Sequence, residues 1–146
     1  MRAKDVMSTR LITIGPDEPV RNAVTLMLQH RISGLPVVDG EDRLVGLITE
    51  NDLVLGSAPG LPIHLQLLED LLDAKEPTRH LKQIQEIGEK RVKELMTREI
   101  VTAQPEMPLG ELISLLVKND FKRLPIVSQG ALVGLVTRAD IVKVMA

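Results

Sequence analysis

Apolar positions along this chain form a repeated pattern of helix-like and strand-like segments. After residue 19, apolar side chains recur at the interval i, i+3, i+4, i+7, i+8, which predicts a helix that buries one face. These positions are Val20, Ala23, Val24, Met27 and Leu28. Two apolar runs then follow at residues 35–39 and 43–48, and Gly40-Glu41-Asp42 between them predicts a hairpin turn.

The same order of predicted elements occurs again in the second half. A short strand is expected around residues 11–14 and again around 100–103, and a closing helix near Thr49 and again near Thr137. The second helical stripe consists of Leu109, Leu112, Ile113, Leu116 and Val117. The predicted order is β-α-β-β-α, twice. A unit of about 50 residues is marginal alone, so we expect the two copies to pack together about a pseudo-two-fold axis.

The duplication is visible residue by residue. Lys4-Asp5-Val6-Met7-Ser8 returns as Lys93-Glu94-Leu95-Met96-Thr97, and 16 of 48 aligned positions are identical. Nearly half of the remaining pairs exchange one aliphatic residue for another, or Asp for Glu. We therefore predict two modules, residues 1–55 and 92–146, in one compact pair.

Residues 56–91 have no counterpart in the repeat and are predicted to form a helical connector. Within them, residues 62–73 are more apolar than a solvated connector needs. Two interpretations stay open: a connector that crosses from one module to the next, or a helix that contacts another copy of the chain.

Composition excludes several classes of function. The chain has 146 residues, a net charge of −2, no Cys, Trp or Tyr, and one aromatic residue, Phe121. Thiol nucleophiles, zinc–thiolate sites and iron–sulfur clusters are therefore excluded, and so is an aromatic platform for stacking single-stranded nucleic acid. The charge gives no general attraction to nucleic acid or anionic lipid. The start of the chain does not resemble a secretory leader and no apolar run approaches 20 residues, so we expect a cytoplasmic protein with no membrane partner.

Motifs for catalysis are missing from the sequence. It contains no Walker loop, no Gly-x-Gly-x-x-Gly and no Gly-x-Ser-x-Gly, and no Ser/His/Asp set recurs in both copies. The three histidines, His30, His64 and His80, show no metal-ligand spacing. We therefore expect no enzymatic activity, no catalytic cofactor and no metal site.

One polar motif does recur, Thr-x-x-Asp at the junction between the last strand and the closing helix. It is Thr49 to Asp52 in the first copy and Thr137 to Asp140 in the second. The pattern is typical of a capping box, in which Thr is the N-cap and Asp the N3 residue. The same groups suit a nucleoside phosphate, because a helix N-terminus and a hydroxyl donate to phosphate and a carboxylate accepts from ribose hydroxyls. The two interpretations are compatible.

The repeat resembles a tandem pair of cystathionine β-synthase (CBS) domains, over about residues 1–55 and 92–146. The motifs that carry the resemblance are Val6–Thr9 with Leu95–Arg98, Leu35–Val38 with Leu124–Val127, and Leu44–Leu53 with Leu132–Ile141. The resemblance implies a mixed α/β (α+β) fold of two βαββα modules packed sheet to sheet. It also implies two clefts that bind adenosine-containing ligands, and association of two pairs into a flat homodimer.

Site residues follow from the resemblance position by position. The ribose-binding aspartates fall on Asp52 and Asp140, and the phosphate-side threonines on Thr49 and Thr137. The aliphatic slot for adenine falls on Ile12, Thr13, Ile14 and Val37 in one copy, and on Val101, Thr102, Ala103 and Ile126 in the other.

The two copies differ in basic residues at the position where the family often carries them. The second copy has Lys122-Arg123 where the first has Ser33-Gly34. We expect ribose on Asp52 with phosphates bound by Lys122, Arg123 and Arg138. The cleft with Asp140 is expected to be empty, to bind more weakly, or to suit a less charged adenosyl ligand. The alternative is that Lys122 and Arg123 lie in a solvated helix-to-strand turn and bind no phosphate.

Two functions remain open at this stage. The first is a regulatory module that binds AMP, ADP, ATP or S-adenosylmethionine and signals to an unknown downstream protein through a change in module or dimer arrangement. The second is a structural dimerisation platform with degenerate clefts and no physiological ligand.

Overall fold

The computed structural model describes the backbone of residues 1–55 and 85–146, and the side chains of residues 1–53 and 85–146. The strands form two sheets, β1 with β2 and β3 with β4. The elements are α1 (Ala3–Val6), α2 (Val20–His30), β1 (Gly34–Val38), β2 (Leu44–Thr49), α3 (Glu50–Leu55), α4 (Val92–Leu95), α5 (Leu109–Lys118), β3 (Arg123–Ser128), β4 (Ala131–Thr137) and α6 (Arg138–Val144). The predicted hairpins and closing helices are confirmed. The predicted helix at residues 62–73 lies outside the described residues.

The chain divides into two compact units that do not follow the sequence repeats. Unit 1 contains Met1–Ile12, Val38–Leu44 and Glu99–Ala146, and unit 2 contains Thr13–Val37 and Val45–Arg98. Each unit therefore combines most of one repeat with the opening segment of the other repeat. The opening segments are residues 1–12, which belong to unit 1, and residues 91–98, which belong to unit 2. The module limits of 1–55 and 92–146 describe the repeat in the sequence and stay a prediction.

Unit 1 is built on the antiparallel pair β3–β4, with its opening segment held by backbone hydrogen bonds. Ala3 N–H donates to the carbonyl of Met107 at 2.8 Å, and Ser8 exchanges two hydrogen bonds with Leu135 at 2.9 and 3.0 Å. Ala3 is completely buried. It belongs to a core formed by Ala3, Ala103, Leu112, Leu116, Leu124, Ile126, Val136 and Ile141.

Unit 2 repeats this plan with the second opening segment. Val92 N–H donates to Glu18 at 2.8 Å, and Thr97 exchanges two hydrogen bonds with Leu47 at 2.8 and 2.9 Å. Met96 packs against Gly46, where an added Cβ would lie only 2.6 Å from the Met96 sulfur. Glycine at this position therefore allows the opening segment to approach β2 closely.

The strands predicted around residues 11–14 and 100–103 are wrong: each segment forms only an isolated β-bridge. Ile14 bridges Val37 and Ala103 bridges Ile126, both in parallel orientation. In unit 1, Ala103 N–H donates to Pro125 and Val127 N–H donates to Ala103. The next bond of a parallel ladder would need an N–H from Pro125, which has none, so the strand cannot extend toward residue 100. Pro36 holds the same place in the first copy.

The helical stripes are shorter than predicted. Val20, Ala23 and Met27 are buried on α2, and Leu112 and Leu116 on α5. At the final position of each stripe, Leu28 is 75% exposed and Val117 is 71% exposed. The buried face therefore ends one residue before Leu28 and Val117, and the prediction that both are buried is wrong.

Matching ion-pair clusters hold the two opening segments. In unit 1, Arg2 and Lys4 pair with Glu106, with Lys4 Nζ 3.2 Å from a carboxylate oxygen. Hydrogen bonds from Lys4 and Arg2 hold the pKa of Glu106 below its ordinary value. In unit 2, the equivalent residues are arranged in the same way. They are Arg91 and Lys93, which pair with Asp17 at 3.4 and 2.9 Å, and the pKa of Asp17 is lowered mainly by its hydrogen bond from Lys93.

Glu106→Gln should reduce the acid sensitivity of folding. A carboxylate whose pKa is lower in the folded state stabilises the fold above its unfolded pKa, about 4.3 for Glu. That stabilisation is lost as the pH falls through the folded pKa. Wild type should therefore lose more stability than Glu106→Gln between about pH 6 and pH 3, in urea titrations at several pH values. Glu99→Gln is the control, because Glu99 is exposed and forms no ion pair within residues 1–53 and 85–146. Parallel curves for wild type and Glu106→Gln would contradict the prediction.

Candidate functional site

The first Thr-x-x-Asp motif lies where β2 passes into α3 in unit 2. The Asp52 Oδ2 atom accepts hydrogen bonds from Thr49 N–H at 2.9 Å and from the Thr49 hydroxyl at 3.2 Å. Asp52 is half-buried. The carboxylate therefore satisfies the donors at the start of α3, as the capping interpretation predicts.

A third donor reaches the same carboxylate from the opening segment of the second repeat. The Thr97 hydroxyl donates to Asp52 Oδ1 at 2.8 Å. Thr97 is not among the site residues predicted from the sequence, because 45 positions separate it from Asp52. The available signal was the hydroxyl residue that follows Met in both openings, Ser8 and Thr97.

The second motif lies where β4 passes into α6 in unit 1. Asp140 Oδ2 accepts from Thr137 N–H at 2.8 Å and from the Thr137 hydroxyl at 3.1 Å. Asp140 N–H donates back to the Thr137 hydroxyl at 3.4 Å, which completes a capping box. The two motifs thus share the hydrogen bonds from the Thr N–H and the Thr hydroxyl to the Asp carboxylate.

The counterpart of Thr97 behaves differently. Ser8 has the same backbone bridge to β4 that Thr97 has to β2. Over the part of the chain that the structure describes, its hydroxyl forms no hydrogen bond with Asp140, whose partners come from the Thr137 motif alone. The Asp140 Oδ1 atom therefore keeps its acceptor capacity.

The residues expected to form the adenine slots divide by exposure. The buried members belong to the cores of their units: Ile14 and Val37 in unit 2, and Ala103 and Ile126 in unit 1. Thr13 in unit 2 and Ile12 in unit 1 are half-buried, and Val101 and Thr102 in unit 1 are exposed. The side chains accessible to a base are therefore those that precede each parallel bridge.

The three basic residues expected to bind phosphate lie in unit 1. Arg123 is the cross-strand partner of Thr137 in the β3–β4 register, so both stand at the end of the sheet next to α6. Arg138 pairs with Asp120 and also donates to the carbonyl of Phe121 at 3.1 Å. A phosphate contact by Arg138 would require it to leave these partners. Lys122 is exposed.

Among the residues that the structure describes, no group of three or more His, Asp or Glu side chains is arranged to hold a metal ion. His30 is exposed at the end of α2, and His64 and His80 lie outside the described residues. No helix in the described part has the length and apolar character needed to cross a bilayer.

Comparison with known proteins identifies the repeat. The sequence profile of the CBS domain family matches residues 3–57 and 92–146. Protein MJ1426 of Methanocaldococcus jannaschii is 32% identical over 154 residues, covering 99% of this chain and 91% of that protein. The inosine-5'-monophosphate dehydrogenase of the same organism is 34% identical over 97% of this chain, but the chain spans only 23% of that enzyme.

Two similar solved structures contain adenosine compounds. CBSX2 in complex with AMP has a TM-score of 0.73 at 28% identity, over 99% of this chain and 95% of that chain. The CBS domain pair of protein MJ0100 in complex with 5'-methylthioadenosine and S-adenosyl-L-methionine has a TM-score of 0.68 at 25% identity. That match also covers 99% of this chain and 95% of the other.

Proposed function

This chain belongs to the CBS domain family, and we propose that it is a non-catalytic regulatory module that binds adenosine-containing ligands. The candidates are AMP, ADP, ATP and S-adenosylmethionine. The observation that carries the proposal is the recurrence of one hydrogen-bonded Thr–Asp arrangement in both units. Relatives of similar fold contain AMP or S-adenosyl-L-methionine, which supports this ligand class.

Each part of the arrangement has a proposed role. Asp52 and Asp140 accept from ribose hydroxyls, while Thr49 and Thr137 lie on the phosphate side. The capping bonds hold each carboxylate in place before ligand arrives, so less conformational entropy is lost on binding. The base would contact the accessible residues that precede the parallel bridges, Thr13 in unit 2 and Val101 and Thr102 in unit 1.

The proposed output is a ligand-dependent change in the arrangement of the modules or of a homodimer, read by a downstream protein. A ligand shifts such an equilibrium only through its different affinities for the two arrangements. Signalling therefore requires ligand groups that contact one arrangement better than the other.

The test is a melting experiment on ligand-free protein with AMP, ADP, ATP, S-adenosylmethionine and guanosine monophosphate as the control. A ligand at about 100 times its Kd adds about 2.7 kcal/mol of stability. Since each kcal/mol raises Tm by roughly 2–4 °C in a domain of this size, a true ligand should raise it by about 5–10 °C. No rise with any adenosine compound would contradict the proposal.

Lys122 and Arg123 stay proposed phosphate ligands. Arg123→Ala should weaken ATP binding by roughly tenfold, the value of one hydrogen bond to a charged group, and leave adenosine binding nearly unchanged. Lys118→Ala is the matched control, because Lys118 is an exposed base at the end of α5. Calorimetric titration of both ligands measures the effect, and an equal loss for ATP and adenosine would remove Arg123 from the phosphate role.

One observation favours the alternative of a dimerisation platform. Leu28 and Val117 hold equivalent positions on α2 and α5, and both are largely exposed. Apolar side chains exposed at equivalent positions of a repeat suit a protein interface. A platform without ligand predicts a dimer that persists when Asp52 and Asp140 are replaced, together with a flat ligand panel.

A further inference from the structure

We propose that the Thr97 hydroxyl makes the two ribose sites unequal, so that Asp52 accepts one ribose hydroxyl and Asp140 accepts two. This inference rests on the proposed function and assigns Thr97 as a specificity-determining residue within it. The two sites would then differ in their selectivity for a complete cis-diol.

Most of the acceptor capacity of Asp52 is already used within unit 2. An ionised carboxylate offers about four lone-pair positions, two on each oxygen. Oδ2 already accepts from Thr49 N–H at 2.9 Å and from the Thr49 hydroxyl at 3.2 Å. Oδ1 accepts from the Thr97 hydroxyl at 2.8 Å. One position therefore remains for a ligand.

Asp140 has one donor fewer. Its Oδ2 atom accepts from Thr137 N–H at 2.8 Å and from the Thr137 hydroxyl at 3.1 Å. Ser8 replaces Thr97 in this unit, and its hydroxyl forms no hydrogen bond with any residue that the structure describes. Both positions on Oδ1 therefore remain for a ligand, and a ribose cis-diol presents two O–H donors.

Thr97 is held where it competes with the ligand. Its backbone exchanges two hydrogen bonds with Leu47, and its neighbour Met96 is buried against Gly46. The side chain is β-branched, which restricts rotation about χ1 compared with Ser8. Displacing the hydroxyl from Asp52 would therefore cost free energy that no equivalent step costs at Asp140.

The consequence is a difference in how each site tolerates a missing hydroxyl. At Asp140, loss of either ribose hydroxyl removes a hydrogen bond to a charged acceptor, which weakens binding by roughly tenfold or more. At Asp52, one of the two hydroxyls has no acceptor. Its loss should change affinity by less than about threefold, since no hydrogen bond to the carboxylate is removed.

The experiment isolates each site in the full chain. Asp140→Asn leaves the Asp52 site, and Asp52→Asn leaves the Asp140 site. AMP, 2'-deoxy-AMP and 3'-deoxy-AMP are titrated into each by calorimetry. We expect one deoxy analogue to bind the Asp52 site within about threefold of AMP, and both to bind the Asp140 site at least about tenfold more weakly.

Thr97→Val and Thr97→Ser supply the decisive comparison in the Asp140→Asn background. Valine keeps the shape of Thr97 without its donor, so both deoxy analogues should then lose roughly tenfold relative to AMP. Serine keeps the donor and should keep the tolerance. Melting of each variant without ligand verifies that it is folded.

Each outcome separates the inference from the proposed function. AMP binding with the same deoxy discrimination at both sites, or with Thr97→Val unchanged from Thr97, overturns the role of Thr97 and leaves the proposed function standing. No binding of AMP or S-adenosylmethionine to the unsubstituted protein contradicts the proposed function, and the inference fails with it.

Discussion

Replacing both Asp52 and Asp140 with alanine should remove about half or more of the rise in Tm that the adenosine ligand produces in wild type. Each carboxylate accepts the capping donors with Oδ2. Under the proposed function ribose binds at Oδ1, which at Asp52 also accepts from the Thr97 hydroxyl. Each lost hydrogen bond to a charged group is worth about 1.5–3 kcal/mol, so binding at each site should weaken by roughly tenfold to a hundredfold. At a ligand concentration near 100 times the wild-type Kd, a tenfold loss of affinity would leave about half of the shift, and a hundredfold loss would leave only about 0.4 kcal/mol of stabilisation.

Each variant must be compared with its own ligand-free Tm, because the aspartates also cap helices. Loss of a cap costs about 1 kcal/mol and lowers Tm without any effect on binding. The double variant Glu99→Ala/Glu111→Ala is the control, since it removes two exposed carboxylates that form no ion pair among the described residues. A full ligand-induced shift in Asp52→Ala/Asp140→Ala would show that the ligand does not bind through these carboxylates.

Ala3→Asp should destabilise the protein by about 3 kcal/mol or more, because it places an unpaired carboxylate in an apolar core. Ala3 has no exposed surface and packs within the unit 1 core with Leu112, Leu116 and Leu124. This is a large part of the 5–15 kcal/mol that stabilises a typical domain. Tm should fall by roughly 10 °C.

Arg10→Asp is the matched control, with the same new side chain in the same opening segment. Arg10 is exposed and forms no ion pair within the described ranges, so its replacement should change stability by less than about 0.5 kcal/mol. If Ala3→Asp melted like Arg10→Asp, residues 1–12 would not dock into the core of unit 1. Urea titration of both variants gives the free energy of unfolding directly.

The sequence predicts the repeated elements well because their signals are local. The helical spacing in α2 and α5, and the turn residues between β1 and β2, are each contained within about ten positions of the chain. Thr137 as an N-cap follows from a motif of four residues, and the structure confirms it. Proline explains the one missing pairing, since it removes the N–H that the predicted opening strands need.

Which unit each opening segment joins was not predictable from the sequence. The two repeats carry the same charges at equivalent positions, with Arg2 and Lys4 matching Arg91 and Lys93, and Glu106 matching Asp17. Those charges suit pairing within one repeat as well as between repeats. The contacts of unit 1 show the second arrangement, with Arg2 and Lys4 on Glu106.

In the candidate site, too, the local contacts were predictable from the sequence and the contact between distant segments was not. Thr49, Asp52, Thr137 and Asp140 follow from a local motif, whereas the Thr97 contact with Asp52 depends on the exchanged opening segment. Arg138 was predicted as a phosphate ligand from its charge alone. Its partner Asp120 lies in the turn before β3 and has a positive φ. The composition of the chain does not predict this contact.

Equilibrium dialysis of ligand-free protein against radiolabelled AMP and S-adenosylmethionine measures directly whether the protein binds an adenosine compound. Binding of an adenosine compound is the premise from which the site roles, the output and the role of Thr97 all follow. We expect saturable binding of at least one of the two, displaced by unlabelled adenosine compound and not by guanosine monophosphate. Folded protein that retains neither compound at millimolar concentration would contradict it, and would favour the dimerisation platform.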